Sequence, residues 1–138
     1  MKKILFILLL LGFFNVCYAD DWLEILEKKY INIPNISTFK KQYVSFWIKA
    51  YKKEGEEIAL IGSNFDYSID KFTIDCKSKK SSVDSITIYD KQGKVLFFDE
   101  LESHNWHEIA PDTYADAYYR LFCLIPFNKN PFLNNSKH

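Results

Sequence analysis

Between Tyr67 and Phe98 apolar and polar residues alternate with a period of two, and the rest of the chain can be read around this stretch. Phe72, Ile74 and Cys76 alternate with Lys71, Thr73 and Asp75, which predicts a strand with one buried and one solvated face. The polar run Lys77-Ser78-Lys79-Lys80-Ser81 predicts a turn. A second strand follows, with Ile86 and Ile88 on one face and Ser85, Thr87 and Tyr89 on the other. Asp90-Lys91-Gln92-Gly93 has the chemistry of a tight hairpin, because Asp opens a type I turn well and Gly accepts the positive φ that ends it. Val95-Leu96-Phe97-Phe98 returns as a strand apolar on both faces, the pattern of a central strand or of one lying under a helix.

The same period marks residues 43–51, where Val44, Phe46, Ile48 and Ala50 face one way and Tyr43, Ser45, Trp47, Lys49 and Tyr51 the other. An aromatic stripe of this kind suits either a carbohydrate platform or cross-strand packing within the sheet, and packing is favoured. Upstream, Trp22, Ile25, Leu26 and Lys29 fit a helical spacing, while Trp22, Glu24 and Leu26 also fit a strand face. Tyr30-Ile31-Asn32-Ile33 is a short β-like run stopped by Pro34. Residues 36–42 form a turn-rich connection. Residues 52–66, from Lys52 to Asp66, make a long connection with an Ile58-Ala59-Leu60-Ile61 patch; loops of that length are often functional or mobile, so it is a first place to seek a partner contact. Downstream of Pro111, Asp112 or Thr113 can cap a helix over residues 114–123, with Tyr114, Ala117 or Tyr118, Leu121 and Phe122 forming the stripe that packs on the sheet. Pro126 ends that element, and residues 128–138 read as a frayed polar tail.

The N-terminus changes the compartment. Lys2 and Lys3 precede an apolar run from Ile4 to Phe14, and Cys17-Tyr18-Ala19 offers small residues for cleavage after Ala19. Residues 1–19 are therefore expected to be a signal peptide, with one domain over residues 20–127. The apolar run is short for a membrane span, and acidic residues follow at once. Lipidation at Cys17 is the alternative; a lipobox takes a small residue just before its cysteine, and Val16 stands there. Loss of Lys2 and Lys3 leaves sixteen basic against eighteen acidic residues, a formal −2 that argues against general nucleic-acid binding. It also leaves two cysteines, Cys76 and Cys123, and an even count in an exported chain predicts a disulfide between them.

Candidate chemistry is sparse. His104 and His107, with Glu102 and Glu108 beside them, match no strong zinc spacing. His107 with Cys123 would make a base and thiol pair, but the disulfide consumes that thiol. Asp99 and Glu100 lie in a polar stretch with no sign of burial, no Gly-x-Ser-x-Gly elbow occurs, and four glycines build no phosphate loop. The chain is read as non-enzymatic, with no metal and no cofactor. Lys77, Lys79 and Lys80 form the most basic local patch and are the candidate contact for a sulfated glycan or an acidic protein surface, although charges that merely keep a hairpin tip soluble would look the same.

In order along the chain stand Tyr30-Ile31-Asn32, Phe46-Trp47-Ile48-Lys49, Ile74-Asp75-Cys76, Tyr89-Asp90-Lys91-Gln92-Gly93-Lys94, Trp106-His107-Glu108-Ile109-Ala110-Pro111-Asp112-Thr113 and Cys123. This ordered set resembles the bacterial surface-adhesin E family, over nearly all of the mature chain. The resemblance implies an α+β fold: a small antiparallel sheet of about six strands, with a C-terminal helix packed on it and closed by a Cys76–Cys123 bond. It makes strands of both N-terminal runs. It implies an exported envelope protein, in the periplasm or at the outer membrane and cell surface, binding a protein partner such as host extracellular-matrix or serum proteins. The alternative is a soluble periplasmic protein of envelope assembly or stress, homodimeric through an exposed strand edge. A small hydrolase or metal-binding protein stands third, on His104, His107 and the nearby carboxylates alone.

Overall fold

In the computed structural model, which describes residues 21–133, the period-two stretches become one antiparallel sheet. Its strands are β1 (Trp22–Leu26), β2 (Lys29–Asn32), β3 (Ser37–Phe39), β4 (Tyr43–Tyr51), β5 (Tyr67–Asp75), β6 (Lys80–Tyr89), β7 (Val95–Glu100) and β8 (His107–Glu108), followed by helix α1 (Tyr114–Cys123). Six strands run in the order β1-β2-β4-β5-β6-β7, with β3 beside β4 and β8 beside β6. The α+β expectation therefore holds, and both N-terminal runs are strands. β4 and β5 pair from Tyr43↔Asp75 to Tyr51↔Tyr67 without a break, so this long hairpin sets the register of everything outside it.

One face of the sheet is covered. Val44, Phe46 and Ile48 of β4 are buried, as are Ile74 of β5 and Ile31 of β2, and Tyr118 and Phe122 of α1 close over them. Phe46 lies 5.3 Å from Tyr118, 4.8 Å from Phe122 and 5.8 Å from Phe72 between ring centroids. Each such ring or branched side chain taken out of water contributes about 1.5–3 kcal/mol, and this aromatic cluster is what seats the helix. Thr113 caps α1 by accepting from the Asp116 N–H at 3.2 Å. Asp116, itself buried, accepts from the Asp112 N–H and pairs with Arg120 at 3.0 Å. The Cys76–Cys123 disulfide, with Cα atoms 5.3 Å apart, ties the helix end to the end of β5.

Several expectations are corrected. Val95-Leu96-Phe97-Phe98 is neither central nor under a helix: β7 is the last strand in the path, and every residue of it is exposed. The alternation of β5 does not leave Thr73 and Asp75 in water; both are buried, because residues 101–106 and the Asp75–Ser78 turn lie over them. Tyr114 is turned outward, its ring under Lys29 Nζ at 4.1 Å. The expected tail is packed as far as Leu133. Asn130 is fully buried and donates to the Leu121 and Phe122 carbonyls at 3.0 and 3.3 Å, supplying partners that a helix C-terminus otherwise lacks. Residues 52–66 close at their base, where the Lys52 N–H donates to the Asp66 carbonyl at 2.8 Å. Residues 1–20 and 134–138, and with them the expected cleavage after Ala19 and the lipidation at Cys17, lie outside the described residues. Among the described residues no helix is long and apolar enough to cross a membrane.

Candidate interaction surfaces

The first surface is the β7 edge. Its position follows from the Asp90–Lys94 turn. Asp90 accepts from the Gln92 and Lys94 N–H groups, each at 2.9 Å, and Gly93 takes φ +79°. The turn returns the chain antiparallel to β6, with a register irregularity between Ile88 and Tyr89. Neither face of β7 is then covered: Phe97 is 44% and Phe98 58% exposed, with Val95, Leu96 and Leu101 also in water. The strand carries no proline and no lysine, two of the usual devices that blunt an edge. An edge of this kind can accept an added strand.

The second surface lies at the other end of the β5–β6 hairpin. Asp75 organises it: the carboxylate accepts from Gln42 Nε2 at 2.8 Å, from the Lys77 and Ser78 N–H groups and from Ser78 Oγ. Burial pushes this carboxyl up, but the hydrogen bonds from Ser78, Gln42 and Lys77 outweigh burial and hold it below its ordinary value. The three lysines singled out in the sequence diverge here. Lys77 faces an open groove of about 1010 Å³ beside the disulfide. Lys79 Nζ sits 5.2 Å from the Tyr119 ring centroid, and Lys80 pairs with Glu108 at 3.6 Å.

The third is the sheet face away from α1. Tyr30, Tyr51, Tyr67 and Tyr89 form a ladder across β2, β4, β5 and β6, with centroids 5.6, 5.8 and 4.7 Å apart. Of the β4 stripe, Tyr51 belongs to this ladder, Tyr43 stacks on Phe39 of β3 at 6.2 Å, and Trp47 lies under Lys71 Nζ of β5 at 5.6 Å, so the stripe packs across strands. Farther along this face the β5–β6 register shifts between Lys71 and Phe72, which leaves Asp84 as a bulged residue. A bulge re-aims its side chain, and Asp84 accepts from Ser82 Oγ at 2.8 Å, from Thr73 Oγ1 and from His104 Nδ1 at 2.7 Å. Ser45 donates in turn to Thr73 at 2.7 Å. His104 therefore anchors the 101–106 loop, whereas His107 stands in β8 opposite Ser81. The two histidines are not brought together, and among the described residues no three of His, Cys, Asp and Glu converge to hold a metal.

A family model described as surface-adhesin protein E matches residues 22–124. The chain belongs to that family. The solved structures similar to this member of the surface-adhesin protein E family include protein E from non-typeable Haemophilus influenzae, at TM-score 0.53 and 13% identity over 82% of this chain and 80% of that one. The selenomethionine form of Haemophilus influenzae protein E gives TM-score 0.52 at 12% identity, over 75% of this chain and 86% of that one. At this identity the likeness is one of fold. No curated protein sequence matches the chain.

Sequence reasoning missed the groove beside the disulfide. Its walls come from the β3–β4 turn, the β5–β6 turn and residues 125–133, three segments far apart in sequence. The available signals were Lys40-Lys41 in a turn-rich stretch, and Phe127, Phe132 and Leu133 at and beyond the start of an otherwise polar tail.

Proposed function

We propose that the protein is exported and acts as a non-enzymatic surface adhesin, holding a protein partner of the host matrix or serum type along the β7 edge. Membership of the surface-adhesin protein E family carries this reading. The basic, apolar start of the sequence, which reads as a signal peptide, supports export. The exposed apolar edge supports a contact made through main-chain pairing. The test is surface labelling of the protein on its own cells, together with binding of the purified protein to immobilised matrix and serum proteins. We expect saturable binding that the paired change Leu96→Lys and Phe98→Lys abolishes while circular dichroism stays unchanged. No surface label and no binding would overturn the reading. A soluble periplasmic role in envelope assembly or stress would then lead, with the β7 edge pairing instead with a second copy of the chain, which sedimentation velocity would detect.

A further inference from the structure

The groove beside the disulfide carries chemistry of its own. It lies across the sheet from β7, since β3 borders β4 on the side away from β5, β6 and β7. The Cys76–Cys123 bond, Ile125, Pro126, Phe127 and Leu133 give it an apolar wall, beside the uncharged polar side chains of Thr38, Gln42 and Asn128. The exposed Lys40, Lys41 and Lys77 also line it, and among the described residues no carboxylate side chain does. The nearby carboxylate of Asp75 is occupied by its own turn and by Gln42.

The two groove lysines of the β3–β4 turn are held at φ +54° and +52°. Consecutive left-handed positions suit Gly or Asn, and a longer side chain there costs stability. Nothing in the packing requires lysine at either position: Lys40 reaches only over the exposed Phe39 ring, at 5.1 Å. Lys28 and Lys79 hold the same left-handed φ in other turns, so what distinguishes Lys40 and Lys41 is that they share one groove with Lys77.

We propose that this groove binds an extended acidic peptide segment of a partner protein, in which carboxylates alternate with apolar side chains. The carboxylates meet Lys40, Lys41 and Lys77, and the apolar residues lie on the apolar wall. At about 1010 Å³ the groove is at the upper end of small-molecule sites, large enough for several residues of a peptide. The edge of β3, which among the described residues pairs with β4 alone, meets the groove at Thr38 and offers main-chain partners. A sulfated glycan would satisfy the lysines but has no apolar side chains for the apolar wall. The proposal does not depend on surface display or on the β7 edge.

The probe is a short fluorescein-labelled peptide alternating glutamate with leucine, titrated by anisotropy into the disulfide-bonded protein. We expect saturable binding that weakens as salt is raised, since the Debye length falls to about 3 Å at 1 M. The triple variant Lys40→Gln, Lys41→Gln, Lys77→Gln should bind about tenfold more weakly, the combined effect of three surface ion pairs. Lys91→Gln with Lys94→Gln, at the opposite end of β6, should bind as wild type. Should the triple variant fold poorly, Lys77→Gln alone and Lys77→Glu give a graded series outside the strained turn. Equal binding by the lysine variants, equal loss in the Lys91 and Lys94 variants, or lysine-dependent binding of a heparin oligosaccharide with none of the peptide would each overturn the proposal.

Discussion

Asp70 shows how much one side chain can matter in this sheet. It lies on the helix-side face of β5, with Ile48 and Ile86 opposite it on the neighbouring strands. One of its carboxylate oxygens finds no hydrogen-bond partner. Burial pushes its pKa up to about 6, opposed by the Ser68 hydroxyl at 3.1 Å and by the charge of Lys29; the buried Tyr118 is pushed upward in turn, by its own burial first and by Asp70 second. Because the folded-state value is raised, the folded protein favours the neutral acid. The stability tied to this group is complete below its unfolded value of 3.8 and is lost as pH rises through about 6. A shift of about two units corresponds to about 3 kcal/mol, a large share of the 5–15 kcal/mol typical of a domain. Asp70→Asn should therefore stabilise the protein at pH 7.5, by up to about 3 kcal/mol, and flatten the fall between pH 5 and 7.5. Guanidinium unfolding of both proteins at the two pH values measures this; an Asn variant no more stable than wild type at the higher pH would show that the carboxylate is solvated.

At the scale of the element, α1 is held from three directions: by its cap, by its aromatic stripe and by the segment that follows it. Replacing the cap, Thr113→Ala, removes one hydrogen bond to an N-terminal amide and should cost about 1 kcal/mol in chemical denaturation. The helical signal in circular dichroism should persist, because Tyr118, Phe122 and the disulfide still hold the element in place. This helix could be read from sequence because its signals are local: a proline before it, a capping residue and a 3.6-residue stripe, which together give Tyr114–Cys123. β4 to β6 could be read for a similar reason, their alternation being maintained by a covered face. β7 is misplaced from sequence because apolar residues on both faces describe a doubly buried strand and a bare edge equally well; its place at the end of the strand order decides, and that is a property of topology. Residues 128–133 were misread as a tail because composition cannot show that Asn130 would lie against two helix carbonyls. The groove was invisible because it exists only after three turns have been brought together.

For the molecule as a whole, the disulfide is the constraint that unites these parts. The helix covers one face of the sheet with the apolar core, while the other carries a largely half-buried tyrosine ladder and the 101–106 loop over polar side chains, and β7 is left bare, so the chain has a single apolar layer with which to offset its conformational entropy. The Cys76–Cys123 bond closes a loop of sequence separation 47, and in the chain-entropy model such a loop contributes about 4 kcal/mol, by limiting the unfolded ensemble. It also forms part of the groove wall, so reduction should act on stability and on the groove together. The double variant Cys76→Ala, Cys123→Ala should lose about 4 kcal/mol and melt on the order of 15 °C lower, and the Glu-Leu peptide should bind it more weakly at a temperature where it is still folded. The β7 edge lies at the far side of the sheet and makes no contact with the bond, so partner binding there should survive the same change at that temperature. Loss of both activities together would mean that the bond holds the whole sheet in shape; loss of the groove alone would mean that the two surfaces are independent and that the cysteine pair governs the groove only.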